Sequence, residues 1–261
     1  MYKNPEIAAR FAEREKNEKY AIVARICDVF MADALGQIEG ALRVADLGAG
    51  AHPSHFDDTF SALLKRPGSE YVWVDAAAPM IDLAKKELVS VTDNRASLIT
   101  FTQQEMVSFL RDQSAESLDA ILMKYTFESE EDMPALLHAI AHALKSGGSA
   151  IITRAMLEPM LRSVSTNARY VYKGKEFPID ETRTLEDGEP YGIRFFIESN
   201  NPHAGHIEGA EVTSYFRALE TIKKQAQEVG LQVQAGDWKD FIIKEKQQGI
   251  EMDQAMLILT K

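Results

Sequence analysis

Two aspartates, each at the end of a predicted strand, constrain this chain more than any other feature. The strand L-R-V-A-D leads into the turn L-G-A-G and a helix, and the strand Y-V-W-V-D follows, so Asp46 and Asp75 mark two strand ends. Glycines in the turn let the backbone approach a ligand closely. A carboxylate after the second strand accepts hydrogen bonds from a ribose diol. The pattern predicts a βαβ unit that binds a nucleoside.

The turn departs from the dinucleotide-binding fingerprint G-x-G-x-x-G. Gly48 and Gly50 match its first two glycines, but Pro53 occupies the third position and cannot act as the small residue for close helix packing. A tight structural turn in another α/β protein remains the alternative explanation of this motif taken alone.

The segment D-L-G-A-G instead resembles motif I of the class I S-adenosylmethionine (SAM)-dependent methyltransferases, [D/E]-x-G-x-G-x-G. It supplies Asp46, Ala49 and the two glycines, whereas His52 replaces the last glycine of the motif. We expect His52 to fill the space that the glycine leaves.

Later segments resemble this family in the family's order. A-A-A-P-M resembles the segment that passes the adenine, Q-Q-E-M the acidic end of the third strand, L-M-K-Y the fourth strand end that faces the reacting methyl, and residues 136–154 the helix, Gly-Gly turn and fifth strand. The resemblance implies SAM as cofactor. It implies as cofactor-binding residues Asp46, Gly48, Ala49, Gly50, Asp75, Ala76, Met80, Glu105, Met106 and Lys124.

Periodicity predicts an α/β fold. Helix-spaced apolar residues precede the first strand, and strands and helices then alternate to residue 154. Residues 230–238 and 254–261 are predicted to form two final strands. Too few residues separate these strands for a crossover helix, which favours antiparallel pairing. The resemblance implies a doubly wound, mostly parallel seven-stranded sheet, the Rossmann-like methyltransferase fold, with a C-terminal antiparallel strand. The predicted units are N-terminal helices covering the cofactor site (1–40), the SAM-binding core (41–154), an inserted acceptor-binding cap (155–214) and a C-terminal helix with the antiparallel strand pair (215–261).

The inserted segment 155–214 is too long for a simple connection, so we expect it to form structure of its own. R-Y-V-Y-K-G-K-E-F-P predicts a hairpin turning at Lys173 and Gly174, and Y-G-I-R-F-F-I-E-S predicts a third strand. Together they predict a small antiparallel cap over the acceptor end of the sheet. Edge protection or formation of a homodimer are the alternative roles.

Candidate catalytic residues follow from position. In methyl transfer from a sulfonium the cofactor carries the reactivity, and the protein aligns donor and acceptor. A general base is needed only for a protonated acceptor, and His206, on a predicted loop with His203, is the preferred candidate, although a solvated loop histidine is the simpler interpretation. Position alone predicts that Tyr125, Arg154, Tyr215 and Arg217 contact the acceptor.

The amino-acid composition limits the classes of molecule that this protein is expected to bind. A net charge of −11 disfavours a nucleic-acid substrate, and a single cysteine, Cys27, excludes an intramolecular disulfide and indicates a reducing compartment. The sequence has no secretory leader and no apolar run near the ~20 residues of a membrane span. His138 and His142 lie four apart but have no evident carboxylate partner, so no metal is predicted. We expect a soluble, cytoplasmic protein with a small-molecule substrate.

Three interpretations remain open. The first is a SAM-dependent methyltransferase that acts on a small molecule. The second is an enzyme that modifies SAM itself, as the carboxy-SAM synthases do, which requires a basic pocket for a small acid. The third is a binding protein without catalysis, which the replacement at His52 favours and the retained Asp46, Gly48, Gly50 and Asp75 oppose.

Overall fold

The computed structural model describes most of the chain: residues 2–16, 18–53, 56–89, 94–154, 160–162, 168–176, 181–197, 203, 205–237 and 255–261. Parts of the predicted cap therefore lie outside the described residues, namely 155–159, 163–167, 177–180, 198–202 and 204.

Strands and helices alternate along the first part of the chain, and strands dominate after residue 154. The strands are β1 (Arg43–Leu47), β2 (Glu70–Asp75), β3 (Ile99–Gln103), β4 (Leu118–Lys124), β5 (Leu144–Arg154), β6 (Met160–Arg162), β7 (Ala168–Tyr172), β8 (Lys175–Glu176), β9 (Thr182–Thr184), β10 (Pro190–Phe196), β11 (His206–Tyr215), β12 (Gln232–Asp237) and β13 (Ala255–Thr260). The helices are α1 (Pro5–Glu15), α2 (Glu18–Gly36), α3 (Asp57–Leu64), α4 (Ala78–Val89), α5 (Met106–Arg111), α6 (Met133–Ala143) and α7 (Leu219–Glu228).

The central sheet has seven strands in the order β12-β13-β5-β4-β1-β2-β3. The pairs from β5 to β3 are parallel, whereas β13 runs antiparallel to both β5 and β12. The sequence-based prediction of a mostly parallel seven-stranded sheet with a C-terminal antiparallel strand is confirmed.

Both faces of this sheet are covered, as expected for the central strands β1, β2 and β4, which have no solvent-exposed position. In β1, Ala45 and Leu47 pack into a core formed with α5, α6 and α7, while Val44 packs into a second core formed with α2 and α3. The Asp28 side chain of α2 accepts hydrogen bonds from the backbone amides of Asp58 and Thr59 at 2.8 and 2.7 Å, which caps the first turn of α3. None of the helices that the structure describes has the length and apolar composition of a membrane span.

A second, antiparallel sheet in the order β11-β10-β7-β8 forms the cap, beside a two-stranded sheet of β6 and β9. The predicted hairpin is confirmed: Lys173 and Gly174, with φ of 49° and 74°, form the turn between β7 and β8. Positive φ at both turn residues matches the twist of the flanking strands.

The sequence predicts a loop around His206 and does not predict strand β11. The predicted loop is wrong at His206, which is the first residue of β11. The pairing of β10 with β11 shifts register between Arg194 and Phe196, and Gly209 has a φ of 75°. This irregularity breaks the period of two by which a strand is recognised in a sequence.

Helix α1 packs between α4 and the cap sheet. Ala8, Phe11 and Ala12 join Ala77 and Met80 in one buried cluster. On the other side, the Phe11 ring meets the Phe195 ring edge-on, with centroids 5.1 Å apart. The helix thereby connects the carboxyl edge of the central sheet to the cap.

Candidate active site

The glycine turn after β1 is closed on one side and open on the other. The Gly48 and Ala49 amides donate to the Val74 carbonyl at 2.8 and 3.0 Å, and Gly48 and Gly50 have φ of 67° and 74°. A β-carbon on Gly48 would overlap the Thr126 methyl. A β-carbon on Gly50 would meet only ordinary contacts. The open side of the turn therefore lies at Gly50.

Asp75 ties the end of β2 to this turn. Its Oδ2 accepts the Gly50 amide at 3.1 Å and its Oδ1 accepts the Ala77 amide at 2.8 Å. Burial raises the pKa of Asp75, although the hydrogen bonds from these amides lower it. A carboxylate has about four acceptor positions. Each Asp75 oxygen therefore keeps one for a further donor.

Asp46 and Lys124, both predicted to bind cofactor, lie beneath the turn. The Asp46 carboxylate is fully buried, accepts from the Tyr71 hydroxyl at 3.1 Å and pairs with Lys124 Nζ at 3.4 Å. Lys124 also lies 4.2 Å from the centroid of the Phe56 ring. Burial raises the pKa of Asp46, and the Lys124 charge opposes this rise. In this structure the ion pair between Asp46 and Lys124 therefore supports the glycine turn.

The remaining predicted cofactor residues follow strand ends at the same edge of the sheet. Ala76 follows β2, and Met80 is buried on α4 against α1. Glu105 is exposed at the N-cap of α5, Met106 is half-buried in its first turn, and the neighbouring Gln104 amide donates to the Asp75 carbonyl at 3.2 Å. The carboxyl edge of β1 to β4 thus brings the predicted set together.

His52 forms a bridge between two helices. Its buried ring contacts the Ala12 carbonyl of α1 through Nε2 at 2.7 Å and Glu87 of α4 through Nδ1 at 2.5 Å. Burial lowers the pKa of His52, but the hydrogen bond with Glu87 and the charges of Glu15 and Glu87 outweigh it, and the pKa is raised.

Glu15 is a further residue at this turn, and sequence analysis missed it. It is the last residue of α1, it is half-buried, and its Oε2 lies 3.5 Å from the position of a β-carbon on Gly50. Burial raises its pKa. Only the packing of α1 against the turn brings this carboxylate to the site, and no local motif reports that packing.

Comparison with known proteins agrees with this geometry. Residues 47–150 match a family model described as a methyltransferase domain. Over these residues the chain is therefore similar to a methyltransferase domain. No curated protein matches the chain by sequence.

Several solved methyltransferases share the fold of this domain and its additions. The CcbJ methyltransferase from Streptomyces caelestis has 11% identity and a TM-score of 0.59, over 91% of this chain and 94% of that one. A SAM-dependent methyltransferase from Mesorhizobium loti has 16% identity and a TM-score of 0.54, over 88% and 96%. The glycopeptide N-methyltransferase MtfA, solved with SAM, has 14% identity and a TM-score of 0.53, over 88% and 93%. At these identities the similarity shows the fold alone.

On the other half of the methyltransferase domain's carboxyl edge, Tyr125 follows β4 in an unusual backbone conformation. Its φ is 58°, its amide donates to Thr153 Oγ1 at 3.0 Å, and its side chain is half-buried. A left-handed conformation is rare for an aromatic residue and marks a constrained position.

Tyr215 and Arg217 lie together at the end of β11. Arg217 donates from Nη2 to the carbonyls of Glu130 and Glu131 at 3.2 and 2.5 Å, and its guanidinium lies 5.3 Å from the centroid of the Tyr215 ring. Burial and the Glu131 carboxylate raise the pKa of Tyr215. Arg217 therefore holds the segment after β4 against the cap.

A buried ion pair joins the methyltransferase core to the cap. Arg154, at the end of β5, is fully buried and pairs with Glu128 through Nε at 3.0 Å, while its Nη2 donates to the Arg217 carbonyl at 2.5 Å. The buried Tyr191 hydroxyl of β10 lies 3.4 Å from Glu128.

His206 lies apart from these groups. It stacks on Phe196 with ring centroids 5.2 Å apart, and its Nδ1 is 4.0 Å from Glu176, which also pairs with Arg194 at 3.1 Å. His206 and Tyr215 are the first and last residues of β11, roughly 25 to 30 Å apart along the strand. The predicted catalytic set is therefore not brought to a single point. His203 is exposed.

Proposed function

We propose that the protein is a SAM-dependent methyltransferase that transfers a methyl group to a small-molecule acceptor by in-line displacement. The observation that carries the proposal is the bond between Asp75 and the Gly50 amide, which sets a buried carboxylate with free acceptor positions beside an open glycine turn. A ribose diol supplies the two donors that such a carboxylate lacks. The family match over this segment supports the same assignment.

Charge at the turn favours a cationic cofactor over a dinucleotide. Glu15 and Asp75 flank Gly50, so a pyrophosphate at this turn would meet two carboxylates. The sulfonium and ammonium groups of SAM are attracted by the same charges. SAM, the predicted cofactor, fits the residues present.

Different residues of the chain would bind the cofactor and orient the acceptor, according to their positions. Asp75 would hold the ribose, and Met80 would contact the cofactor beside the turn. When bound, SAM supplies an electrophilic methyl group. Tyr125 and Tyr215 offer hydroxyl groups on the acceptor side, where they would orient the acceptor. Alignment of this kind is the protein's main contribution to such a displacement.

The bridge formed by His52 weakens the case for a binding protein without catalysis. The residue that replaces the motif I glycine has a structural partner on each side, while Gly48 and Gly50 keep their left-handed conformations. The replacement therefore leaves the turn intact.

The arginines on the acceptor side do not favour a carboxy-SAM synthase. Arg154 pairs with Glu128 through Nε, and Arg217 donates to the carbonyls of Glu130 and Glu131 through Nη2. Each guanidinium is therefore already engaged, although Arg154 Nη1 and Arg217 Nε have no hydrogen-bond partner among the described residues. A site for a small dicarboxylic acid would need guanidinium groups available to the ligand.

A small acceptor fits the surroundings of the site. The cap sheet and α1 stand over the carboxyl edge of the central sheet, and the net charge of −11 disfavours a polyanionic substrate. We propose a cytoplasmic location for the same protein, in keeping with its single buried cysteine, Cys27.

Labelled cofactor tests the proposal directly. The protein is incubated with SAM carrying an isotopically labelled methyl group and with a small-molecule extract of cells, and products are followed by mass spectrometry. We expect a small molecule that acquires the label only with active protein. Label found only in a carboxylated or otherwise altered SAM would support the second interpretation instead.

A further inference from the structure

The carboxylate of Glu15 reaches the open side of the glycine turn. Its Oε2 and the Met80 Cε lie 3.5 and 3.8 Å from the position that a β-carbon on Gly50 would occupy. Because Gly50 has no side chain, this position is free. Glu15 and Asp75 thus both lie beside Gly50, close enough for the two charges to interact.

The placement of Glu15 is fixed by the packing of α1. The Ala12 carbonyl of the same helix contacts His52 at 2.7 Å, and Ala8, Phe11 and Ala12 are buried against α4. Glu13 on the same helix is exposed and pairs with Lys16 at 2.7 Å. Two carboxylates of one helix therefore differ: one faces the turn and the other faces solvent.

The Glu15 carboxylate has charged neighbours but remains available to a ligand. The positive charges of His52, Lys124 and Arg14 and the negative charge of Asp75 act on it. Within the described part of the chain, no hydrogen bond or ion pair uses its oxygens. A half-buried carboxylate in this position gains most from a donor that carries positive charge.

We propose that Glu15 binds the α-ammonium group at the amino-acid end of SAM. The inference rests on the proposed function. SAM has two cationic groups, and only the ammonium offers N–H donors, so it alone forms charge-assisted hydrogen bonds with a carboxylate. Asp75 serves the ribose at the same turn, which leaves the amino-acid end for Glu15. Helix α1 is then part of the cofactor site. The contact of its Phe11 with Phe195 links the cofactor site to the cap.

Three ligands separate this role from the alternatives. The full chain, its Glu15→Gln variant and its Glu13→Gln variant are each titrated by calorimetry with SAM, S-adenosylhomocysteine and 5′-methylthioadenosine. The first two ligands carry the ammonium, and the third lacks the amino-acid end. We expect Glu15→Gln to weaken SAM and S-adenosylhomocysteine by a similar factor, at least about tenfold, and to leave methylthioadenosine within about twofold. Glu13→Gln should bind all three as the wild type does.

Several results would overturn the assignment. Equal losses for methylthioadenosine would mean that Glu15 supports the helix or the turn. A loss for SAM without one for S-adenosylhomocysteine would mean that it acts on the sulfonium. Unchanged affinities would remove it from the site. A wild-type protein that binds none of the three overturns the proposed function as well, so the two failures are distinguishable.

Discussion

The Gly50 amide donates a hydrogen bond of 3.1 Å to Asp75 Oδ2, and this contact joins the ends of β1 and β2. The glycine turn and the Asp75 carboxylate therefore form one unit, and a ligand that contacts one of them also contacts the other. The two glycines of the turn nevertheless serve different purposes: Gly48 makes room for Thr126, and Gly50 leaves room for a ligand.

That difference predicts distinct outcomes for alanine at the two glycines. Both variants place a side chain at positive φ, which costs about 1 to 2 kcal/mol. Gly48→Ala also overlaps the Thr126 methyl, so we expect it to lower the free energy of unfolding further than Gly50→Ala does. Gly50→Ala should stay folded and lose SAM affinity. Urea unfolding and calorimetric titration measure both.

A second substitution tests the cause. Thr126→Ser removes the overlapping methyl and keeps the hydroxyl that donates to the Leu47 carbonyl at 2.9 Å. Combined with Gly48→Ala, it should restore part of the lost stability. A double variant no more stable than Gly48→Ala would show that the Thr126 methyl is not what excludes a side chain at residue 48.

The His52 bridge predicts a pH dependence of stability. The pKa of His52 is raised above its ordinary value of 6.5, so the folded protein holds this proton more tightly than the unfolded chain does. The resulting stabilisation is complete below the unfolded pKa and is lost as pH rises through the raised folded pKa. We expect the unfolding free energy of the wild type to fall as pH rises above 6.5 and through the raised folded pKa of His52, and His52→Asn to remove part of that fall.

The exposed His138 provides the matched control, since His138→Asn should retain the wild-type slope. A His52→Asn variant with an undiminished slope would argue against a charged bridge. The same bridge predicts a cost for His52→Gly: although this substitution restores the motif I pattern, it removes the contacts with Ala12 and Glu87 and should lower stability.

The two ends of β11 predict different kinetic effects. His206 is held near Glu176 and stacked on Phe196, away from Tyr215. Once the acceptor is known, we expect His206→Ala to leave the pH profile of turnover unchanged and Tyr215→Phe to raise the KM for the acceptor with SAM affinity within a few-fold. Loss of an ionisation near pH ~6.5 in His206→Ala would instead identify it as the general base.

The sequence predicts the parts of this molecule that local signals encode. Asp46 and Asp75 end uninterrupted apolar runs, and the glycines between them have few other uses, so the βαβ unit and its edge of the sheet are recognisable. Strand β11 is hidden because the irregularity near Gly209 breaks its alternation. The position of Glu15 could not be predicted from the sequence, because its contact with Gly50 depends on how α1 packs. The spacing of residues within the helix does not indicate that packing.

The most direct test of the account is calorimetric titration of the wild type and of Asp75→Ala with SAM and with NAD. We expect the wild type to bind SAM and not NAD. Asp75→Ala, checked for folding by circular dichroism, should lose about 1.5 to 3 kcal/mol of SAM binding free energy, the amount typical of charge-assisted hydrogen bonds. Tight NAD binding without SAM binding, or an unchanged SAM affinity in folded Asp75→Ala, would contradict it.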